Sequence, residues 1–107
     1  GVIVTDLDSI IAVSKLPKKD YKEKSISKEL EELIENRVSN HVKDNKLISL
    51  HRDDSMDYKS QIIIPIISSS GDCIGSICLV AKEASGLSES DEKLLKVAAN
   101  FLGKQVQ

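Results

Sequence analysis

Two aspartates near the start of the chain have a spacing that could support phosphoryl transfer. Asp6 and Asp8 follow the apolar run Val2–Thr5. In such a pair one carboxylate can attack a phosphoryl group while the other moves a proton, with Mg²⁺ offsetting their charge. A second β-rich run, Ser9–Ser14, begins at once, and aspartates in a tight link between two such runs are typical of a hairpin turn. A phosphatase-like enzyme using Asp6 and Asp8 is therefore only a remote alternative.

The other reactive side chains form no catalytic or metal-binding pattern. His41 and His51 lie in loop-like sequence outside any metal-ligand motif, so we expect exposed structural histidines. Cys73 and Cys78 are five residues apart, which predicts opposite faces of one strand and two reduced thiols. The segment Ser68–Gly71 leads into a strand rather than a helix, unlike a phosphate-binding loop. We predict no enzyme, no metal site and no cofactor.

Basic residues are concentrated in one segment but do not predict nucleic-acid binding. Lys15–Lys28 contains six lysines, no arginine, and Tyr21 as its single aromatic residue. The formal net charge of the chain is −2, and a domain without net positive charge is a poor binder of polyanions. We expect the lysines to form a solvated loop and helix start.

The chain is organised around a hydrophobic hairpin. The runs Ile62–Ile67 and Ile74–Ala81 flank the turn residues Ser68–Asp72, whose length and glycine suit a hairpin loop. Both runs are almost continuously apolar, which predicts central strands covered on both faces. Pro65 lacks a ladder donor, so we expect a local irregularity of the sheet at this residue.

Elements before this hairpin complete an α+β pattern. Ser25 and Ser27 are capping candidates for an amphipathic helix that ends near Arg37. Its apolar stripe consists of Ile26, Leu30, Leu33 and Ile34. Beyond it, turn residues surround Leu47–Leu50, which we predict to be a short strand. The predicted order is β-β-α-(β)-β-β-α, with helices on an antiparallel sheet.

The last helix carries more apolar surface than one sheet contact requires. Ser88 is its capping candidate, followed by an acidic first turn that suits the helix dipole. Its apolar positions are Leu94, Leu95, Ala98, Ala99, Phe101, Leu102 and Val106. The small residues Ser76 and Cys78 would let the helix settle onto the sheet. We expect the surplus to form a homodimer interface comprising Leu94, Leu95, Ala98, Phe101 and Leu102.

The length and hydropathy of the chain limit its organisation. A chain of 107 residues builds one core, so we expect a single domain over residues 1–107. There is no apolar run of about 18 residues for a membrane span and no signal-peptide pattern. These features predict a cytoplasmic protein without a membrane partner. Because the sequence starts directly in a strand-like pattern, we expect it to begin inside a longer protein.

The central hairpin and the last helix together resemble a GAF domain. The matching features are the strand ending Pro65-Ile66, the turn with Gly71, the strand Ile74-Gly75-x-Ile77-x-Leu79, and the helix Leu87-Ser-Glu-Ser-Asp91-Glu-Lys-Leu94-Leu95-Lys-Val-Ala98-Ala99. The resemblance implies a GAF-like antiparallel sheet of five or six strands, with terminal helices on one face and a ligand cavity under loops on the other. It also implies that the N-terminal helix of the fold is missing from this chain.

Over the whole chain, the sequence is similar to the C-terminal domains of stage V sporulation protein T. The similarity rests on Val4-x-Asp6, Ile11-Ala12-Val13-Ser14, Lys18-Lys19-Asp20-Tyr21-x-x-Lys24-Ser25-Ile26-Ser27, Gly71-Asp72-x-Ile74-Gly75 and Ala98-Ala99-x-Phe101-Leu102. It implies a regulatory domain of an AbrB-like transcriptional regulator that acts on sporulation genes in the developing bacterial spore. DNA would be bound by a missing N-terminal domain.

These expectations lead to two functional hypotheses. The first is a regulatory domain that binds an unidentified small molecule, with Tyr21 and Tyr58 on the rim of its pocket, and couples binding to oligomerisation. The alternative is an oligomerisation module that binds no ligand. Such a module would form a dimer through its terminal helices, and the full-length protein could form a tetramer. An open, partly polar cavity would favour sensing, and a cavity filled by Ile and Leu would favour assembly.

Overall fold

A five-stranded antiparallel sheet forms the centre of the computed structural model, which describes residues 1–105. Its strands are β1 (Val2–Thr5), β2 (Ile10–Ser14), β3 (Asn40–Lys43), β4 (Ser60–Ile67) and β5 (Cys73–Ala81). The helices are α1 (Lys18–Tyr21), α2 (Lys28–Glu35) and α3 (Glu89–Gln105), with a single 3₁₀ turn at Asp44–Lys46. The strand order is β2-β1-β5-β4-β3. This arrangement confirms the predicted α+β class.

The sheet is covered differently on its two faces. On one face α3 packs through Leu95 and Ala99 onto isoleucines of β4 and β5. On the other face α1, α2 and the segment before β4 enclose a second core, whose buried residues are Ile3, Ile10, Tyr21, Ile26, Leu30, Ile34, Leu50, Tyr58, Ile63, Cys78 and Val80. None of the helices within residues 1–105 has the length and hydropathy to cross a membrane.

The central hairpin is confirmed, with one correction at Pro65. β4 and β5 pair from Ser60 opposite Ala81 to Ile67 opposite Cys73, and Gly71 closes the loop with a φ of 90°. Pro65 pairs in register with Ser76, and the register shifts instead between Ile66 and Ile67. Pairing with β3 ends at Ile63, so Pro65 lies where β4 has an edge-like side that tolerates a missing N–H.

The predicted amphipathic helix is confirmed as α2. The Ser27 hydroxyl accepts a hydrogen bond from the Leu30 amide at 3.0 Å and donates one to the Ser49 carbonyl. This satisfies a donor that the first helical turn would otherwise leave unpaired. Leu30 and Ile34 are buried in the core, and Arg37, with a φ of 57°, turns the chain away after the helix.

The short strand before β4 lies elsewhere than the sequence predicts. Residues 47–50 are irregular, and the strand is β3, which pairs with the first half of β4. The Gln61 side chain explains the difference, because its amide nitrogen donates to the Ile48 carbonyl and its oxygen accepts from the Ile48 amide, both at 2.9 Å. The Gln61 side chain thus forms the backbone hydrogen bonds of Ile48 that a neighbouring strand would otherwise form.

Two predictions about side-chain faces on β5 are wrong. Ser76 and Cys78 point away from α3, since Ile77 lies in the α3 core while Cys78 lies in the opposite one. Cys73 packs against the same core as Cys78 rather than on the opposite face. The register shift near Cys73 places one extra residue in β5. Side chains before and after the shift therefore do not alternate between the two sheet faces as they would in a regular strand.

The two cysteines should differ sharply in reactivity. Burial raises the pKa of the fully buried Cys78 thiol to about 12, so at pH 8 only about one molecule in ten thousand carries the reactive thiolate. Cys73 is half-buried, and burial raises its pKa as well. Mass spectrometry after iodoacetamide treatment of the native protein should show slow labelling of Cys73 alone, and two labels after denaturation. Equal labelling rates would contradict the observed burial.

Candidate ligand-binding cavity

A cavity of about 760 Å³ opens on the sheet face opposite α3. Four parts of the chain build its walls: the turn after β2, α1, the loop between residues 51 and 58, and the end of β5. Its apolar lining residues are Leu16, Pro17, Tyr21, Tyr58, Val80 and Ala81. Its polar lining side chains are Lys15, Asp20, Lys24, His51, Asp53, Asp54, Ser55, Asp57 and Lys82. The cavity is therefore open and partly polar rather than filled by aliphatic side chains.

Tyr21 and Tyr58, the two residues predicted for a pocket rim, both line this cavity. Tyr58 precedes β4 and is buried, and its hydroxyl donates to the Asp54 carboxylate at 2.7 Å. Burial and this hydrogen bond both raise the pKa of Tyr58. Tyr21 ends α1 and is also buried. The structure brings the two side chains to one site, and their role in ligand binding stays a prediction.

Asp54 organises the loop that forms one wall. One carboxylate oxygen accepts from the Tyr58 hydroxyl and from the Leu50 amide, the latter at 2.9 Å. The other oxygen accepts from the Met56 amide at 2.9 Å. Met56 has a φ of 52°, an uncommon conformation for a non-glycine residue. The sequence predicts Asp54 only as one of several turn residues before β4, and nothing in its pattern indicates a cavity wall.

Backbone strain is concentrated around the cavity. Five non-glycine residues among those described have positive φ. Lys15 lines the cavity, and Glu23 and Met56 are chain neighbours of lining residues, with φ of 62°, 65° and 52°. Such conformations cost about 1–3 kcal/mol each and cluster at ligand-binding sites in proteins. The walls of the cavity are therefore held in shape by their surroundings rather than by local preference.

The two histidines lie at different places, and the burial of His51 differs from the prediction. His51 is buried rather than exposed, and its ring meets the Tyr21 ring edge-on with a centroid distance of 5.2 Å. His41 is on β3, where its Nδ1 lies 2.8 Å from the Glu92 carboxylate of α3. Hydrogen bonds from His41 and from Lys96 lower the pKa of Glu92. No group of histidines, cysteines and carboxylates within residues 1–105 is arranged to hold a metal ion.

Asp6 and Asp8 lie in the turn between β1 and β2, as the hairpin interpretation predicts. The Asp6 carboxylate accepts hydrogen bonds from the amides of Asp8 and Ser9, at 2.8 and 2.7 Å. The Asp6 amide in turn donates to the Ser9 carbonyl at 3.0 Å. This network is an Asx turn, so the Asp6 carboxylate is used to stabilise the hairpin.

The predicted interface residues divide between two sides of α3. Leu95 lies in the core against the sheet, with Ala98 and Leu102 packed at its margin. Leu94 and Phe101 are exposed, by 69% and 62% of their surface. Val97, which was not predicted, is 65% exposed and lies beside them. Leu95 is therefore removed from the predicted interface, because the chain's own sheet covers it.

Solved structures with this architecture define the class of the domain. A structure of a GAF domain superposes with a TM-score of 0.66 and 21% sequence identity, covering 96% of this chain and 60% of that one. A type II free methionine-R-sulfoxide reductase from Thermoplasma acidophilum superposes with a TM-score of 0.70 and 16% identity, covering 96% and 74%. The fold is thus that of a GAF domain, as the resemblance implies.

Sequence comparison identifies the family within that class. The profile of the C-terminal transcription factor domain of stage V sporulation protein T matches residues 1–107. Stage V sporulation protein T of Bacillus subtilis (strain 168) is 36% identical over 107 residues. The chain belongs to this family of C-terminal domains. It spans 59% of the length of that Bacillus protein.

Proposed function

We propose that this chain is the signal-sensing domain of a DNA-binding transcriptional regulator of sporulation genes. The observation that carries this proposal is the 760 Å³ cavity, which is open and lined by both aromatic and charged side chains. A cavity of this size lies in the range of small-molecule sites. Family membership supplies the regulatory context, and the lack of net positive charge supports DNA contacts through another part of the regulator.

A second role, self-association through α3, is supported by a separate observation. The exposed face of α3 formed by Leu94, Val97 and Phe101 lies on the sheet face opposite the cavity. Exposed apolar side chains grouped on one helix face are typical of an interaction site. We propose that a second copy of the chain covers this face, so that ligand binding and dimerisation use opposite sides of the sheet.

A thermal-shift screen tests the sensing role. Nucleotides, amino acids and other metabolites should include at least one compound that raises the unfolding midpoint, because a ligand selective for the folded state stabilises it by mass action. At a hundredfold excess over its dissociation constant, the expected rise in Tm is on the order of 10 °C for a domain of this size.

Matched tryptophan variants locate the binding site. Ser55→Trp places a bulky side chain at the cavity wall and should abolish the shift. Ser69→Trp places the same side chain in the exposed β4–β5 loop and should leave the shift intact. If Ser55→Trp had no effect on any stabilising compound, ligand sensing through this cavity would be excluded.

A further inference from the structure

The hydroxyl group of Tyr21 has no hydrogen-bond partner within residues 1–105, although most of the residue is buried. Tyr21 is only 7% exposed, and among the described residues its hydroxyl makes no hydrogen bond, in contrast to that of Tyr58. No fully buried side-chain oxygen or nitrogen in residues 1–105 lacks a partner. The Tyr21 oxygen is therefore accessible, and the cavity is the open space that the Tyr21 side chain lines.

Three carboxylates act electrostatically on this hydroxyl. Asp54 and Lys24 are half-buried in the cavity wall, where Lys24 lies 4.0 Å from the Asp53 carboxylate, while Lys15 and Lys82 are exposed at the rim. Of the ion pairs formed within residues 1–105, none involves Asp54. After burial, the charges of Asp54, Asp57 and Asp20 are the causes that raise the pKa of Tyr21. Because Asp53 offsets the charge of Lys24, these three carboxylates would attract a cation brought to the Tyr21 hydroxyl and repel an anion.

Asp54 also has hydrogen-bonding capacity left for a ligand. Its Oδ2 accepts two hydrogen bonds, from Leu50 and Tyr58, whereas its Oδ1 accepts one, from Met56. A carboxylate oxygen has two lone pairs, so Oδ1 can accept one more donor. An ammonium group has three donors and can use this oxygen and the Tyr21 oxygen together.

The other lining residues of the cavity indicate the chemistry of the rest of the ligand. Because the carboxylates around the cavity do not converge into a metal-binding group, a bare metal ion is a poor match. The rings of Tyr21 and Tyr58, with Leu16 and Val80, supply apolar and aromatic surface. Such surface suits a hydrocarbon body, and tyrosine faces attract organic cations.

We propose that this cavity binds a small organic cation, a protonated primary amine on an apolar body, whose ammonium group lies between the Tyr21 hydroxyl and the Asp54 carboxylate. The proposal rests on the sensing function proposed above and names the chemical class of its ligand. The amine can come from a simple alkyl or aryl amine or from an α-amino acid, whose carboxylate would then face Lys15 or Lys82 at the rim.

Calorimetric titration of the 107-residue chain with matched probes tests the class. The amines are isoamylamine and phenethylamine, and the carboxylates of similar shape are 4-methylpentanoate and 3-phenylpropionate. At least one amine should bind, and neither carboxylate should bind comparably. Leucine and phenylalanine separate the two sources: binding of the amino acids identifies α-amino acids, and binding of the amines alone identifies amines without a carboxylate. Equal or tighter binding of the carboxylates, or no binding of any amine or amino acid, would overturn the proposal.

Two variants test the position of the ammonium group. Tyr21→Phe removes one oxygen and keeps the ring, and it should weaken amine binding by roughly tenfold or more, since hydrogen bonds to charged groups are the stronger ones. Asp54→Asn should weaken it at least as much. Asp72→Asn, in the exposed β4–β5 loop, makes the same charge change away from the cavity and should have no effect. Unchanged amine affinity in Tyr21→Phe would overturn the assignment.

The sensing function of the cavity and the amine class of its ligand can be contradicted by different results. If a compound of another class stabilises the protein and Ser55→Trp abolishes that effect, the cavity is a sensor but the amine class is wrong. If no screened compound responds to Ser55→Trp, the sensing function itself is wrong, and the amine proposal falls with it.

Discussion

Gly103→Ala is expected to lower the free energy of unfolding by up to about 2 kcal/mol, because overpacking a core usually costs about 1–3 kcal/mol. Gly103 is buried on the sheet side of α3. A Cβ at this position would overlap the carbonyl oxygen of Ile67 and lie 2.9 Å from its carbonyl carbon. Backbone atoms of a paired strand cannot move aside, so α3 would have to retreat and loosen Leu95 and Ala99. The better helix propensity of alanine, about 1 kcal/mol, offsets only part of this cost.

Urea unfolding followed by circular dichroism measures this effect. Asn100→Ala is the matched control, because Asn100 is exposed on the same helix, where alanine improves helix propensity without a new contact. The control should be as stable as the native chain or slightly more stable, so the two alanines should act in opposite directions. A Gly103→Ala protein at least as stable as the native chain would show that α3 does not approach β4 this closely.

Local sequence patterns were sufficient to predict an element where one local interaction determines its structure. The apolar runs on either side of Ser68–Asp72 predict the β4–β5 hairpin, because only a strand covered on both faces needs such continuous hydrophobicity. Of the two capping candidates, Ser25 and Ser27, the structure uses Ser27, and a hydroxyl three residues before the amide it pairs with is a purely local feature. Ser88 acts similarly for α3, where its hydroxyl accepts from the Asp91 amide at 3.2 Å.

The incorrect predictions share a physical cause, which is an interaction between residues far apart in the chain. Leu47–Leu50 has the composition of a strand, but Gln61, more than ten residues later, pairs with its backbone. The alternation of β5 is changed by a register shift that depends on its pairing with β4. Gly103 is a further example, because nothing in the helical pattern reveals that Ile67 lies against it.

The cavity was predictable only in part. Tyr21 and Tyr58 stand out because they are the two tyrosines of the chain, and amphipathic aromatic residues suit the border of a pocket. Asp54 and His51 could not be recognised, since their positions depend on how the loop between residues 51 and 58 closes over the sheet. Among four aspartates around the cavity, the sequence does not distinguish the one that is half-buried.

The apolar surface of α3 is wider than its contact with the sheet. At about 100° per residue, the arc from Val97 through Leu94 and Leu95 to Gly103 covers roughly two thirds of the helix circumference. The sheet occupies the part that contains Leu95, Ala99 and Gly103. The exposed part, formed by Leu94, Val97 and Phe101, is the face that we propose a second copy of the chain to cover.

Phe101→Glu is expected to shift this chain to monomer without unfolding it. Phe101 is 62% exposed, so a glutamate there costs the isolated fold little, whereas in a two-fold interface it would bury an unpaired charge near its own symmetry mate. Sedimentation velocity over a concentration series should show a weak monomer–dimer equilibrium for the native chain and a single monomeric species for the variant. Circular dichroism should show unchanged secondary structure and a similar Tm.

Asn100→Glu is the control for the added charge, because Asn100 is exposed on the polar side of the same helix. This variant should dimerise as the native chain does, since its glutamate would remain in water. A Phe101→Glu protein that stays dimeric would place the interface on another surface and leave the exposed face of α3 without the partner proposed for it. Loss of dimerisation in both variants would mean that net charge, rather than a contact at Phe101, controls association.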